Sequence, residues 1–424
     1  MAIAWRPLLP LLIVSALIFH EDWLSTPSCK TLPGEPITDT QHHLDENDDL
    51  KVMIVADLLL AGSEARFIDL LFRDYYMSKF FRKSFQSLKP DMLLVLGDVS
   101  ARGWELSATK WLSVVDQFHR MLGPFLGLPL HVVLGDRDIG ECGKLNARSV
   151  DWISGRFPGL DSGGCGAFEI GNVSFVSLNS VALLCGSNDL RFSIERVIES
   201  ESLDLATEFE SIKEGMDESS KIKETIREFG WRDDAIPSGS GPVLLLHFPL
   251  RQMATPNCDR SSKTLGGRWF VGTGPYKLLQ SLPPNATEYI FQALKPSVLS
   301  NQQGHLRLIL LLLYASMPEV IDQGDILLLK VESRIIFSAH THEFSSYFHP
   351  DGTREVTVPA LTWNARDDPG FIVANFRRNN IAVSISYCSL VRESRLIMGY
   401  VYVMVLFVVM MVFSRRLLLI CSRQ

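Results

Sequence analysis

Residues 91–98 read DMLLVLGD, and the fold turns on how that stretch is understood. Met92 to Leu96 form an unbroken apolar run of strand length, closed by a glycine-aspartate pair. The same rhythm recurs along the chain. KVMIVAD ends at Asp57, LHVVLGD at Asp136, VLLLH at His247 and RIIFSAH at His340, with FVSLNS lying between LHVVLGD and VLLLH. Amphipathic, charge-bearing stretches such as Arg66–Leu88 and Trp104–Leu122 separate the early runs, as expected of helical crossovers. Polar residues therefore collect at strand C-terminal ends, the edge where open α/β sheets bind ligands. Past His342, EVTVPAL, FIVANF and AVSISY read as strands expected to complete a second sheet. The expected architecture is α/β, two sheets sandwiched between helices.

The bulk composition narrows the functional classes. A chain of 424 residues, 46% hydrophobic and 21% charged, can bury a sizeable core, and its net charge of −7 argues against a nucleic-acid partner. The two ends are far more apolar than the middle. Residues 8–19, LLPLLIVSALIF, follow Arg6 and precede Glu21 and Asp22, which fits a signal-peptide core or a short anchor. Residues 396–413, LIMGYVYVMVLFVVMMVF, carry no charge and are long enough to cross a bilayer. Arg415, Arg416 and Arg423 beyond them favour a cytoplasmic tail, although Arg392 and Arg395 on the other side weaken the bias.

The resulting plan is a signal anchor or transmembrane segment at 1–25, a polar linker at 26–50, a lumenal domain at 51–390, a transmembrane helix at 396–413 and a tail at 414–424. The lipid bilayer is thus an expected partner. Six cysteines fall in the lumenal part, Cys29, Cys142, Cys165, Cys185, Cys258 and Cys388, and they fit either disulfides of unspecified pairing or scattered thiols. Asn172-Val-Ser and Asn285-Ala-Thr are glycosylation acceptors suited to a lumen. Residues from about Ile194 to Glu228 are rich in acids and lysines, without a strong apolar face, and read as a solvated helical insertion.

One Gly-Asp at a strand end is usually a turn, and one histidine is usually structural. Here Asp57, Gly97-Asp98 with Gly103, Gly135-Asp136-Arg137-Asp138, His247-Phe248-Pro249 and His340-Thr341-His342 occur in a single order. Carboxylates and imidazoles at successive strand ends suit a dinuclear site for mixed N/O coordination. Alternation along an extended His340-Thr341-His342 segment would send both imidazoles the same way.

These ordered blocks, over about residues 51–386, resemble the calcineurin-like metallophosphoesterases, whose pattern is D-x-H, GD-x-x-x-x-G, GNHD, H-x-P and GH-x-H. The resemblance implies a four-layer α-β-β-α sandwich binding two divalent metal ions, with manganese the expected metal. It implies Asp98 as the bridging ligand, Asp57 and His342 on one metal, and Asp136, His247 and His340 on the other. HFPL at 247–250, FSAHTHEF at 337–344 and WNARDDPGF at 363–371 look like the endoplasmic-reticulum branch that trims ethanolamine phosphate from GPI-anchor glycans. That branch implies GPI-anchored proteins or their glycan as partners, and an endoplasmic-reticulum or Golgi membrane location tied to export.

Three positions depart from the pattern. Leu59 replaces a histidine ligand, Asp136 replaces an asparagine and adds a negative charge, and Arg137 replaces the histidine near the phosphoryl group. Arginine side chains titrate above about 12, so Arg137 is no proton donor. It is instead a candidate catalytic clamp for phosphate oxygens, or else a partner for Asp138 or Asp136 filling the vacated place. Residues 297–333 separate Leu294-Lys295-Pro296 from the last histidine-bearing run and read as an atypical insertion, expected to be poorly ordered.

Overall fold

The computed structural model describes residues 14–15, 17–18, 21–22, 25–32, 49–171, 173–184, 190–200, 242–251, 281–294, 335–350, 352–376 and 383–421, with side chains as far as Val412. Asn172, most of 8–19, most of the linker and all of 297–333 lie outside the described residues.

Two six-stranded sheets and flanking helices make a mixed α/β fold. The first runs β1 (Ser28–Thr31), β12 (Val383–Ser389), β11 (Gly370–Phe376), β2 (Leu50–Val55), β3 (Met92–Leu96), β4 (Leu130–Val133). Its strands β2, β3 and β4 are parallel, whereas β11, β12 and β1 pair antiparallel. The second runs β5 (Gly166–Ile170), β6 (Val173–Ser177), β7 (Val243–Leu245), β8 (Ile335–Ser338), β10 (Arg354–Thr357), β9 (Ser345–Phe348). Strands β6, β7, β8 and β10 are parallel, with antiparallel β5 and β9 at the edges.

The period of two explains why the inner strands look uniformly apolar. Val52, Ile54, Leu94 and Leu96 pack with Phe175, Leu245, Phe337 and Val356 between the sheets. Met53, Val55, Leu93 and Val95 belong instead to the cluster containing Phe80, Phe81, Val114 and Phe118 of α1 (Asp74–Leu88) and α2 (Ala108–Leu122). Both faces are buried, so no polar alternation is permitted. Each helix starts later than its amphipathic pattern suggests. Asp69–Arg73 form a π-helical turn before α1, and Gly103–Glu105 a 3-10 turn before Ser107 enters α2 in an extended conformation.

Three expectations are corrected. FIVANF and AVSISY do not join the second sheet, because β11 returns to pair with β2 in the first and β12 pairs with β11 and β1. A strand signal carries no information about its partner. Within the stretch read as linker, Ser28–Thr31 forms a strand, and its Cys29 is disulfide-bonded to Cys388, the residue directly opposite in register. Cys142 is also disulfide-bonded, whereas Cys165 is a buried free thiol. Finally, the described start of the charged insertion has an apolar face. Leu190, Ile194 and Ile198, spaced by four, are buried in the core.

Two further helices bear on function. In α3 (Asp136–Ile139), a single turn follows β4, and in α4 (Pro284–Ala293) Asn285 is exposed near the first turn. A long helix, α5 (Glu393–Cys421), is apolar and long enough over Glu393–Val412 to cross a bilayer, by length and composition, and is almost wholly unburied there.

Candidate metal centre

Five strands of the two sheets deliver the polar side chains to one place. Asp57 follows β2, Asp98 follows β3, Asp136 follows β4, His247 follows β7, and His340 and His342 follow β8. Asp57, Leu59, Asp98, His340 and His342 all take positive φ, between 51° and 66°, which non-glycine residues seldom adopt. Such strain gathers where a surrounding structure over-determines it. It also corrects the extended reading of His340-Thr341-His342. The segment is a tight turn, closed by the Thr341 N–H donating to Ala339 O at 2.8 Å, and its two imidazoles go to different carboxylates.

Two glycines make the approach possible. A Cβ on Gly97, itself at φ 83°, would lie 2.3 Å from His247 Nδ1, and one on Gly135 would lie 2.2 Å from Asp98 Oδ1. No side chain fits at either point.

His247 is wholly buried, and its Nδ1 lies 2.9 Å from the Leu96 carbonyl. A carbonyl only accepts, so Nδ1 carries a proton. Nε2 then faces Asp136 Oδ1 at 2.9 Å and Asp98 Oδ1 at 3.5 Å. Three acceptors cannot face one another without a second proton or a cation between them. Asp57 Oδ1 and Asp98 Oδ2 are buried without hydrogen-bond partners, a costly state that a cation would relieve. The donor atoms of Asp136, His247 and His340 lie within 4.8 Å of one another, as do those of Asp57, Asp98 and His247. Carboxylate oxygens and imidazole nitrogens in that arrangement fit divalent metal, and the Nδ1–H to a backbone carbonyl is the outer support typical of a metal-bound histidine.

The sequence pattern and the geometry divide these residues differently. His247, rather than Asp98, is the residue shared between the two groups. His342 stands in neither, but its Nδ1 lies 2.8 Å from Asp57 Oδ2. His340 Nδ1 lies 3.1 Å from Asp136 Oδ1, and its ring packs on Phe248 at 4.0 Å between centroids.

Electrostatics follow from the crowding. Burial, then the Asp136 and Asp57 charges, push the Asp98 carboxyl well above its usual range against the pull of His247. For Asp136 burial is outweighed by hydrogen bonds and charge from His247 and His340, which hold it well below that range. Burial opposes protonation of His247, yet Asp98, Asp136 and Asp57 together raise it to about 10.

Arg137 does not pair with Asp136 or Asp138. Its Nε lies 3.4 Å from Asp98 Oδ2, with the side chain 43% exposed, and its N–H donates to Asp98 Oδ1 at 3.0 Å. Asp138 is occupied elsewhere, accepting from Ser100 N at 2.8 Å, Gly135 N at 3.0 Å and Val99 N at 3.3 Å, which ties the Asp98 and Asp136 loops together. Leu59 is buried, and its N–H donates to Asp98 O at 2.9 Å. Its side chain offers no donor atom to the centre.

Two supports went unread in the sequence. Ser180 Oγ accepts from His247 N at 3.1 Å and Phe248 N at 3.0 Å, fixing the histidine's backbone; the Asn179-Ser180 pair ending FVSLNS was its only signal. Glu141 shares a hydrogen bond with Asp136 and is raised by burial first and then by that neighbour's charge. Nothing in the sequence around it marks this role.

No protein-family model matches the chain. Metallophosphoesterase 1 of Rattus norvegicus is 26% identical over 339 residues, covering 80% of this chain and 72% of that protein. Metallophosphoesterase 1 of Mus musculus is 26% identical over 391 residues, covering 89% and 82%. These curated relatives are metallophosphoesterases, and the similarity supports the calcineurin-like resemblance carried by the ordered strand-end blocks. Among solved structures, a dimetal phosphatase from Danio rerio aligns at a TM-score of 0.38 and 12% identity, over 77% of this chain and 92% of that one. A likeness that distant bears on nothing further. Leu59, Asp136 and Arg137, the three departures from the resembled pattern, all stand at the centre described above.

Proposed function

We propose that this protein is a metal-dependent phosphoric-ester hydrolase held at a membrane, with its metal centre in the endoplasmic-reticulum or Golgi lumen and ethanolamine phosphate on a GPI-anchor glycan as its substrate. The observation carrying the hydrolase reading is the pair of donor groups that share His247 and leave Asp57 Oδ1 and Asp98 Oδ2 buried without a hydrogen bond. Two divalent ions, manganese foremost, would be held there by Asp57, Asp98, Asp136, His247, His340 and His342. Bound metals would activate water and neutralise charge on the phosphoryl oxygens. Arg137, half exposed above Asp98, grips the non-bridging oxygens of the phosphodiester and holds it in line. His247 keeps its Nε2 aimed at the centre through the Leu96 carbonyl, and Ser180 keeps its backbone in place.

The Cys29–Cys388 disulfide supports an oxidising compartment, and the exposed Asn285 in an acceptor triplet is compatible with it. The unburied apolar α5 supports the anchor. The choice of GPI glycan rests on the resemblance of residues 247–250, 337–344 and 363–371.

One observation favours a second reading, a phosphate- or partner-binding protein without turnover. The Arg137–Asp98 ion pair supplies positive charge beside the half that Leu59 deprives of an imidazole. Metal analysis and phosphodiester hydrolysis of the purified full chain separate the two. About two equivalents with manganese-dependent turnover, together with release of ethanolamine phosphate from a GPI glycan, is the expected result. One equivalent or none without turnover sinks the hydrolase. Arg137→Ala sharpens the test: as a clamp its loss costs about 10²–10³ in turnover, whereas as a plug its loss increases metal uptake.

A further inference from the structure

A patch of apolar surface beside the base of α5 has no role in the centre. Phe67, Ile68, Leu70, Leu71 and Tyr75 are 78%, 62%, 47%, 61% and 52% exposed. Five large apolar residues within nine positions are far more than scattered surface residues explain, and a contiguous patch of this kind marks a binding surface. The π-helical turn at Asp69–Arg73 helps to display them. We infer that residues 67–75 rest in the surface of a lipid bilayer, as a second membrane contact beside the helix that crosses it. This inference rests on the membrane-anchored reading of α5 given above.

Continuity with α5 decides the occupant. Arg73, inside the patch, makes a two-pronged ion pair with Glu393 at the first turn of α5, Nε to Oε1 at 2.9 Å and Nη2 to Oε2 at 3.2 Å. Tyr76, one residue past the patch, hydrogen-bonds Tyr400 on α5, and both hydroxyls meet Glu21 near the N-terminal apolar run. Phe72 stacks on Trp363 at 5.7 Å. The patch is therefore fastened where α5 begins, at the level a membrane surface would occupy. Tyrosines are favoured at that level, and Tyr75 and Tyr402, 52% and 66% exposed, flank the Tyr76–Tyr400 contact. A soluble partner would not need that alignment.

The same fastening reaches the metal centre. Arg73 also donates to Asn364 Oδ1. Asn364 lies three residues beyond Leu361, whose N–H donates to the carbonyl of Ala56, the neighbour of Asp57. Arg366 in that same loop pairs with Glu343, next to His342. A bilayer contact at 67–75 would hold the rim of the centre against the membrane, where phosphodiesters close to a lipid anchor are presented.

The test uses the full chain in phosphatidylcholine vesicles, carrying a photoreactive benzophenone amino acid at one position and analysed by mass spectrometry for covalent lipid. Phe67 and Leu71 are the patch positions, Val405 on α5 is the anchor position, and Phe192, 68% exposed, is the control. Lipid adducts at Phe67 and Leu71 several-fold above Phe192 are expected. Adduct at Val405 with none above control at Phe67 and Leu71 overturns the patch and leaves the anchor standing. Absence at all three overturns both. Adducts at Phe67 and Leu71 without one at Val405 uphold the surface contact and sink the crossing helix.

Discussion

The two halves of the metal centre are built from the same residue types but balanced differently. Around Asp136, two imidazoles meet one carboxylate, with His247 at 2.9 Å and His340 at 3.1 Å. Around Asp57 and Asp98, two buried carboxylates have His342 and a share of His247, with Leu59 where another imidazole would stand. The orphaned oxygens, Asp57 Oδ1 and Asp98 Oδ2, both fall in that second half. Arg137 belongs to the Asp136 sequence block, yet its guanidinium reaches across to Asp98. Two substitutions far apart in sequence thus bear on one deficit: Leu59 removes a donor, and Arg137 returns positive charge without a metal-binding atom. On the proposed reading, the Asp136 half would be the stronger metal site, and the Asp57 half the one whose occupancy would decide turnover.

The largest effect comes from breaking both halves together. His247→Ala removes the imidazole they share and leaves Asp57, Asp98 and Asp136 facing one another. Losing one partner of a buried charged set costs about 3–5 kcal/mol, so unfolding of the chelated protein should need distinctly less denaturant. Manganese retained after desalting should fall in both halves, directly in the Asp136 half that Nε2 faces and indirectly in the Asp57 half as its carboxylates shift. Unchanged stability would mean that the ring does not hold the carboxylates in place.

Leu59→His acts on one half alone. It restores a donor beside Asp57 and Asp98, and should raise affinity at the weaker site by about tenfold or more, the lower range of what supporting contacts are worth to a metal. Isothermal titration with manganese reads this as tightening of the weaker binding step while the stronger one stays put. Tightening of both steps, or of neither, would break the division into halves. Joining it to Asp136→Asn and Arg137→His should then raise phosphodiester turnover if only the ligands have been altered.

Much of this was legible in the sequence, and the residues show why. Asp57, Asp98, Asp136, His247 and His340 each end an apolar strand run, and parallel strands bring their C-terminal ends to one edge, so order along the chain predicted proximity in space. What stayed hidden depends on pairing or on backbone conformation. The return of β11 and β12 to the first sheet, and the strand at Ser28–Thr31, are choices of partner, which local composition does not encode. The positive φ of His340 and His342 splits their rings between Asp136 and Asp57, where a period-two reading kept them together. Arg137 reaching Asp98 rather than its sequence neighbours is likewise a matter of where two loops meet.

The smallest effect concerns how each half is supported. Asp138 ties the Asp136 loop to the Asp98 loop, accepting from Gly135 N on one and from Val99 N and Ser100 N on the other. The loop leaving Asp57 is held by a side-chain relay instead: Gly62 N–H donates to Gln117 Oε1 at 2.6 Å, and Gln117 Nε2 donates to Asp74 Oδ2 at 2.6 Å. Burial, the largest influence, raises Asp74 to about 6 from its usual 3.8, against the pull of the Gln117 hydrogen bond. A carboxyl raised on folding binds its proton more tightly in the native state, so its contribution is full below about pH 4 and is lost as pH climbs through about 6. Asp74→Asn keeps an acceptor for Gln117 without the charge. The variant should match the wild type at pH 4 and be more stable at pH 8, by about 1 kcal/mol once partial exposure is allowed for. Thermal unfolding at the two pH values measures the gap. A gap of the same size at both would show that Asp74 does not titrate in this window, and the Asp57 loop would then be no more pH-sensitive than its counterpart.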